Sequence, residues 1–271
     1  MHHCKERHKN SISRASSSSF ASLLALAHTK LVSRASMDAK SLKQALLKAA
    51  RDGSITEIQS LLDRHANIHA RDYKGATPLH HASLDGHHQC IELLLDRHAD
   101  INARDNGNAT PLHLASWHGH HQCVELLLDR HADINAADDD DGTSLHYTSM
   151  NGHHQCIELL LDRHADVDAR DENNDTPLHL ASMKGHHQCI ELLLDRHADV
   201  NARDENNDAP IHLASIKGHH QCIELLIDHC ADKYLTDVRH CVPSLSLSLS
   251  LVRSCNLNIL PASHTKMAPS C

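Results

Sequence analysis

The sequence predicts an all-α repeat solenoid, and three observations carry that prediction: a fixed 33-residue period, two short amphipathic helices per period, and very few aromatic residues. Gly-His-His-Gln-Cys recurs at 86–90, 119–123, 152–156, 185–189 and 218–222. The stretch IELLLDRHAD at 91–100 returns with one conservative change at 124–133, and unchanged at 157–166 and 190–199. A constant period of this length marks units that stack, each burying an apolar face that it cannot bury alone. Aromatic residues make up 2% of the 271, so Leu and Ala must fill the interior, which suits short helices packed closely. Columns in which the copies agree should maintain the stack. Columns in which they differ are candidates for a partner surface.

Residues 1–37 differ in composition from the rest, being rich in Ser and basic residues with Glu6 as the one acid. Their short apolar run at 20–27 resembles a weak secretory or transit leader. The alternatives are a disordered extension or a start at Met37. Residues 38–71 read as a degenerate N-terminal capping repeat: 45–50 give its first helix, Gly53 aligns with Gly86, and Lys40, Lys43 and Lys48 make it polar, as an end facing water requires. Five full repeats follow, at 72–104, 105–137, 138–170, 171–203 and 204–237. In 72–104, Thr77 can cap the first helix through its hydroxyl, and Pro78 sits at the first helical position, where a missing N–H costs nothing. Leu79 and Ala82 face inward, and Gly86 ends this helix. The second helix is expected from about His88 to Arg97, with Ile91, Leu94 and Leu95 as its stripe and Cys90 and Leu93 widening it. Helices this short are marginal in isolation, below ~12–15 residues, so stacking must stabilise them. Gly75, Asn108, Asp141, Asn174 and Asn207 occupy one turn column, and all are types that tolerate left-handed backbone. Residues 238–271 form a low-complexity tail. Its PSLSLSLSLV at 243–252 reads either as disorder or as an amphipathic strand over the end of the stack.

The net charge of −9, with His neutral, argues against nonspecific nucleic-acid or acidic-membrane binding. The 30 histidines, however, titrate near pH ~6.5, so charge changes in mild acid. Five of the 10 cysteines (Cys90, Cys123, Cys156, Cys189 and Cys222) share one column. Packed helices lie ~8–10 Å apart, whereas a disulfide needs Cα atoms within ~7 Å, so neighbours in the column should stay free. Free thiols fit a reducing cytosol or nucleus. No run of ~18 apolar residues exists to cross a membrane.

With TPLH at 77–80, 110–113 and 176–179, TSLH at 143–146 and APIH at 209–212, followed in phase by Gly-His and ELLL-x-x-x-AD, the chain resembles ankyrin-repeat proteins over 39–237. That resemblance implies antiparallel helix pairs with β-hairpin-like fingers at right angles to them. It also implies a concave partner surface made of fingers and first helices. It further implies that Asn102, Asn135 and Asn201 are hydroxylation targets, a series that Asp168 breaks. One departure stands out. Where that family has Gly after the second helix, this chain has His65, His98, His131, His164 and His197, then Cys230. If the position is left-handed, His is tolerated there at a cost.

No catalytic constellation is legible, and no cofactor is expected. His-His-x-Cys invites a metal reading, but zinc needs about four convergent ligands and one repeat offers two or three. Buried Cys acting as a small hydrophobe is the simpler account. The His80, His113, His146, His179 and His212 column lacks a recurring nucleophile or carboxylate and reads as a polar link between repeats. Asp138–Asp141 lacks the later ligands of a calcium loop.

The variable columns are then the candidate site. On the fingers they include Tyr73 and Lys74, Asn106, Asp139 and Asp140, Glu172 and Asp175, and Glu205 and Asp208. On the first helices they include Leu84 and Asp85, Trp117 and His118, Met150 and Asn151, Met183 and Lys184, and Ile216 and Lys217. Leu84, Trp117, Met150, Met183 and Ile216 would form an apolar stripe with a Trp anchor, and the later fingers are acidic. The expected function is a non-enzymatic, monomeric scaffold or adaptor that binds another protein through a basic or apolar segment. The alternatives are a His/Cys-rich metal-binding array, or a recent duplication product without a dedicated partner.

Overall fold

The computed structural model describes residues 38–229. The possible leader at 1–37, Cys230 with the end of the fifth repeat, and the Ser-Leu tail all lie outside the described residues. Within them, twelve helices run in six pairs: α1 (Ala39–Arg51) and α2 (Ile55–Asp63); α3 (Pro78–Leu84) and α4 (His88–Asp96); α5 (Pro111–Trp117) and α6 (His121–Asp129); α7 (Ser144–Asn151) and α8 (His154–Asp162); α9 (Pro177–Lys184) and α10 (His187–Asp195); α11 (Pro210–Lys217) and α12 (His220–Asp228). The helices of a pair pack on each other, first helices pack on neighbouring first helices, and second helices on neighbouring second helices. The fold is therefore the all-α solenoid that the period predicts. Among the described residues β structure is limited to one antiparallel bridge, Ala137 with Thr143.

From α3 to α9 each first helix starts with a reciprocal cap in which histidine takes the place usual for Glu, whereas the Asp38 side chain caps α1. The Thr77 N–H donates to Nδ1 of His80 at 3.1 Å, and the Thr77 hydroxyl meets the same nitrogen at 2.8 Å. The His80 backbone N–H in turn donates to the Thr77 hydroxyl at 3.4 Å. Thr110, Thr143 and Thr176 repeat the N–H to Nδ1 bond with His113, His146 and His179. Ala209 has no hydroxyl, so only the bond from its N–H to His212, 2.8 Å, remains.

Both helices of a repeat end in a left-handed residue, but the two positions carry different residues. After α3, Gly86 has φ 75°, and the His87 N–H reaches back to the Ala82 carbonyl at 2.9 Å. After α4, His98 has φ 65°; its N–H bonds the Leu95 carbonyl and the Ala99 N–H bonds the Leu94 carbonyl, each at 2.9 Å. This is the Schellman pattern, with His where Gly is usual. All five histidines of that column have φ of 61–65°, as the sequence suggested. Packing accounts for the difference between the positions. A Cβ on Gly86 would lie 2.7 Å from the His120 ring, and Gly53, Gly119, Gly152 and Gly185 meet the next repeat's histidine in the same way. The second position is exposed at His98, His131, His164 and His197, so a side chain fits there and only the backbone strain remains.

The core is one continuous row of Ile, Leu, Ala and Cys from Leu46 to Leu226, with Ile91, Leu94, Leu127, Ile157, Leu160 and Ile190 fully buried. Two histidine columns tie the repeats together across it. Nε2 of His80, His146 and His179 donates forward to a carbonyl of the next finger: Ala109 at 3.0 Å, Asp175 at 3.1 Å and Asp208 at 3.2 Å. His113 reaches two carbonyls, Ala136 at 3.0 Å and Gly142 at 3.1 Å. Nε2 of His87, His120, His153, His186 and His219 donates backward to Arg51, Leu84, Trp117, Met150 and Met183 carbonyls at 2.9–3.2 Å. On the outer rim Arg97, Arg130, Arg163 and Arg196 pair with Asp63, Asp96, Asp129 and Asp162 of the preceding repeat. These pairs are exposed and contribute little each.

Candidate interaction surface

Between helix pairs the chain forms short fingers. Each closes with a backbone bond from its first Asp to the residue four later, as in Asp72 N–H to the Ala76 carbonyl at 2.9 Å and Asp138 N–H to Gly142 at 3.1 Å. The same Asp side chain turns back to cap the loop: Oδ1 of Asp72 accepts the Lys74 and Ala76 N–H groups at 2.8 and 2.9 Å. Gly75, Asn108, Asp141, Asn174 and Asn207 sit at φ of 56–81° at the tips, as their types suggested. Adjacent fingers join through one backbone bond each: Asn106 to Lys74, Asp139 to Gly107, Glu172 to Asp140 and Glu205 to Asn173, at 2.9–3.1 Å.

The predicted finger residues divide by exposure. Tyr73 is 86% exposed, and Lys74, Asn106, Asp139, Asp140, Glu172 and Glu205 are exposed with it. The Asn106 amide also bonds the Tyr73 carbonyl at 3.2 Å. Asp175 and Asp208 are only half-exposed. Asp175 replaces Ala76, Ala109 and Gly142 of the earlier fingers, and its Oδ1 is buried without a hydrogen-bond partner. Burial, with Asp171, Asp204 and Glu205 nearby, pushes its carboxyl up to about 7.

On the first helices the expected apolar stripe is uneven. Trp117 is 44% and Ile216 58% exposed, while Leu84, Met150 and Met183 are half-buried. Ile216 ends the described stack, whereas a following repeat packs against the other positions, and the Trp117 ring is too large to be covered. Asp85, His118, Lys184 and Lys217 are exposed, and Asn151 is half-buried with its amide bonded to the Tyr147 carbonyl at 3.0 Å.

Sequence reasoning missed Tyr147. It replaces a Leu seen at 114, 180 and 213, and its ring meets Trp117 at 5.0 Å, tilted by 57°. Its hydroxyl donates to Asp138 of the third finger. His81 stands in the same column and reaches Asp72 of its own finger at 3.2 Å. The shared nine-residue separation between each ring and its Asp was the available signal. These polar contacts fix a finger to its helix at the first and third repeats. In the other repeats the column is Leu.

The family profile described as ankyrin repeats (3 copies) matches residues 46–138 and 137–204, and one described as ankyrin repeat matches 206–238. The chain belongs to the ankyrin-repeat family. A comparison with curated proteins found no match. Ankyrin repeats are in general protein-interaction modules and in general non-catalytic.

The column that varies from the ankyrin pattern toward chemistry, Cys90 to Cys222, is buried and unbridged. Burial pushes the thiols up, to about 11 at Cys123 and about 12 at Cys156 and Cys189, which leaves them poor nucleophiles. The neighbouring His87 column is spent on carbonyls of the preceding repeat. Among the described residues no group of three or more His, Cys, Asp or Glu is arranged to hold a metal ion, and no helix is long and apolar enough to cross a membrane. Asn102 and Asn135 of the asparagine series are likewise committed to the stack. Oδ1 of Asn102 and Asn135 accepts the Asp133 and Asp166 N–H groups at 2.9 Å, and Asp168 keeps that acceptor for Asp199 at 2.8 Å.

Proposed function

We propose that this ankyrin-repeat chain is a non-enzymatic scaffold or adaptor that binds one partner protein along its fingers and the ends of its first helices. The partner segment is basic, with an apolar side chain at its centre. The observation that carries this reading is Trp117: a large ring left 44% exposed, seated on Tyr147, which the third finger holds through Asp138. An anchored, partly exposed Trp is the kind of residue on which binding energy concentrates. Asp139, Asp140, Glu172 and Glu205 line the same run of fingers as exposed acids, and such a field favours a cationic partner by steering and register. The monomer is the binding unit, and the free buried thiols suit a reducing compartment, cytosolic or nuclear.

The test is affinity capture under reducing conditions with the full chain beside Trp117→Ala, and beside a variant with Trp117, Met150 and Met183 all changed to Ala. Folding of both variants is checked by circular dichroism. A protein retained by the parent and lost by the folded variants supports the reading. The same proteins retained with equal affinity by all three chains would remove this face as the binding surface.

A further inference from the structure

The fingers carry an arginine column with one interruption. Arg71, Arg104, Arg170 and Arg203 stand at the base of the first, second, fourth and fifth fingers, and Ala137 stands at the third. Among the described residues the guanidinium bridges its own finger and the next at Arg71, Arg104 and Arg170, and reaches its own finger at Arg203. Nη1 of Arg104 donates to the Asn108 carbonyl of its own finger at 3.3 Å and to the Ala137 carbonyl of the next at 2.7 Å. Nη1 of Arg170 donates to Asn174 at 2.9 Å and to Arg203 at 2.7 Å. Arg71 reaches Gly75 at 3.0 Å and also the Arg104 carbonyl, and Arg203 reaches Asn207 at 2.9 Å. By the same register the third finger offers the Asp141 and Arg170 carbonyls, and alanine has nothing to place between them. This finger is also the most acidic, reading Ala-Asp-Asp-Asp-Asp-Gly at 137–142, with no cation of its own. In the fingers before it, the finger's own arginine or lysine offsets the acids; here the cation that reaches the finger is Arg104 of the second, on the Ala137 carbonyl.

We propose that the third finger receives an arginine guanidinium from the partner chain, seated between the Asp141 and Arg170 carbonyls where the other fingers use their own arginine. The sibling sites of Arg71, Arg104 and Arg170 demonstrate that this backbone geometry accepts a guanidinium between two carbonyls. Arginine suits it better than lysine, because a planar fork bridges two carbonyls with one nitrogen and keeps further N–H groups for the exposed Asp140 and Asp141 carboxylates. A compact ammonium cannot satisfy both sets in one plane. One or two additional charge-assisted bonds, about 1.5 kcal/mol each at the low end, correspond to roughly tenfold or more in affinity. The inference deepens the proposed partner surface by naming the chemistry of one contact.

The test needs no partner protein, so its failure and a failure of the capture experiment are distinguishable. Amide chemical shifts of the full-length chain are followed while N-acetyl-arginine methylamide, and separately N-acetyl-lysine methylamide, is added. The expected result is a saturable change centred on Asp141, Gly142, Arg170 and Asp171 with the arginine probe, and binding about tenfold weaker with the lysine probe. Ala137→Arg, which copies the sibling fingers, should abolish the saturable change. Equal binding of the two probes, a response spread evenly over the third to fifth fingers, or no saturable response at all would overturn the proposal. So would undiminished arginine binding by folded Ala137→Arg. Should that variant fail to fold, the arginine–lysine comparison in the parent decides alone.

Discussion

Replacing His146 by Leu should break the joint between the third and fourth repeats. The ring is buried; its Nδ1 accepts the Thr143 N–H at 3.1 Å and its Nε2 donates to the Asp175 carbonyl at 3.1 Å. Leucine keeps most of the volume but leaves the Thr143 N–H without its partner and takes one of two donors from the Asp175 carbonyl, which keeps the Asp171 N–H. An orphaned buried polar group costs about 1–3 kcal/mol and the lost carbonyl bond about 0.5–1.5 kcal/mol, together roughly 1.5–4.5 kcal/mol, against a total stability of only about 5–15 kcal/mol for a typical domain. For a stack of about 190 residues this lowers Tm by roughly 3–18 °C, at about 2–4 °C per kcal/mol. Because repeat stability is a sum of units and their interfaces, the transition should also broaden as the two halves uncouple. Urea and thermal unfolding, followed by circular dichroism at pH 7.5, read both effects. The pH dependence gives a second check. Burial, the largest influence, holds the His146 imidazole below its ordinary range. Below about pH 6.5 the unfolded chain therefore binds a proton that the folded chain refuses, and the parent loses stability as pH falls. The Leu variant has no such proton at this site, so the gap between the two should narrow from pH 7.5 to pH 5. A loss under about 0.5 kcal/mol at pH 7.5, or a gap that widens in acid, would refute the reasoning.

Three further outcomes follow from the same contacts. Gly119→Ala should destabilise more than Gly218→Ala in thermal melts. Both are left-handed, but a Cβ at 119 lies 2.4 Å from the His153 ring, whereas none of the described residues lies within 4 Å of one at 218; equal losses would deny the ring its role. His131→Gly should raise Tm by a few degrees, because φ 65° strains a residue with a Cβ by about 1 kcal/mol, partly offset by glycine's unfolded-state entropy; an unchanged or lower Tm contradicts this. Asp175→Asn should stabilise the stack at pH 8. The Asp175 carboxyl titrates near about 7, so the parent's folded state loses stability as pH rises from the ordinary carboxylate range through that value. Melts repeated at pH 4, where the parent carboxyl is protonated in the fold, should show the advantage gone.

Much of the fold was legible because its causes are local. Thr77-Pro78 starts a helix and Gly86 ends one through their own backbone preferences, and the histidine at 98 could be read as left-handed from its place after α4. The links that make a stack of these units were not legible. His80 finds its acceptor 29 residues ahead and His120 finds its own 36 behind, and no local propensity distinguishes those directions. The site was legible as a set of columns, but not in its exposure. Asp175 reads as one more fingertip acid, yet its carboxylate turns inward, and Met150 and Met183 read as exposed yet lie half-buried. Tyr147 was passed over because its column is mostly Leu, and its meaning depends on Asp138 and Trp117 meeting it from different elements.

The central claim is that the fingers and first-helix ends form the binding face. Hydrogen exchange by mass spectrometry, comparing the free chain with its complex with a captured partner, tests it most directly. Slowed exchange confined to residues around 105–110, 137–143 and 170–176, and to the peptide containing Trp117, is the predicted result. Protection concentrated on α4, α6, α8 and α10, along the Arg97–Asp63 rim, with the fingers unchanged, would contradict it.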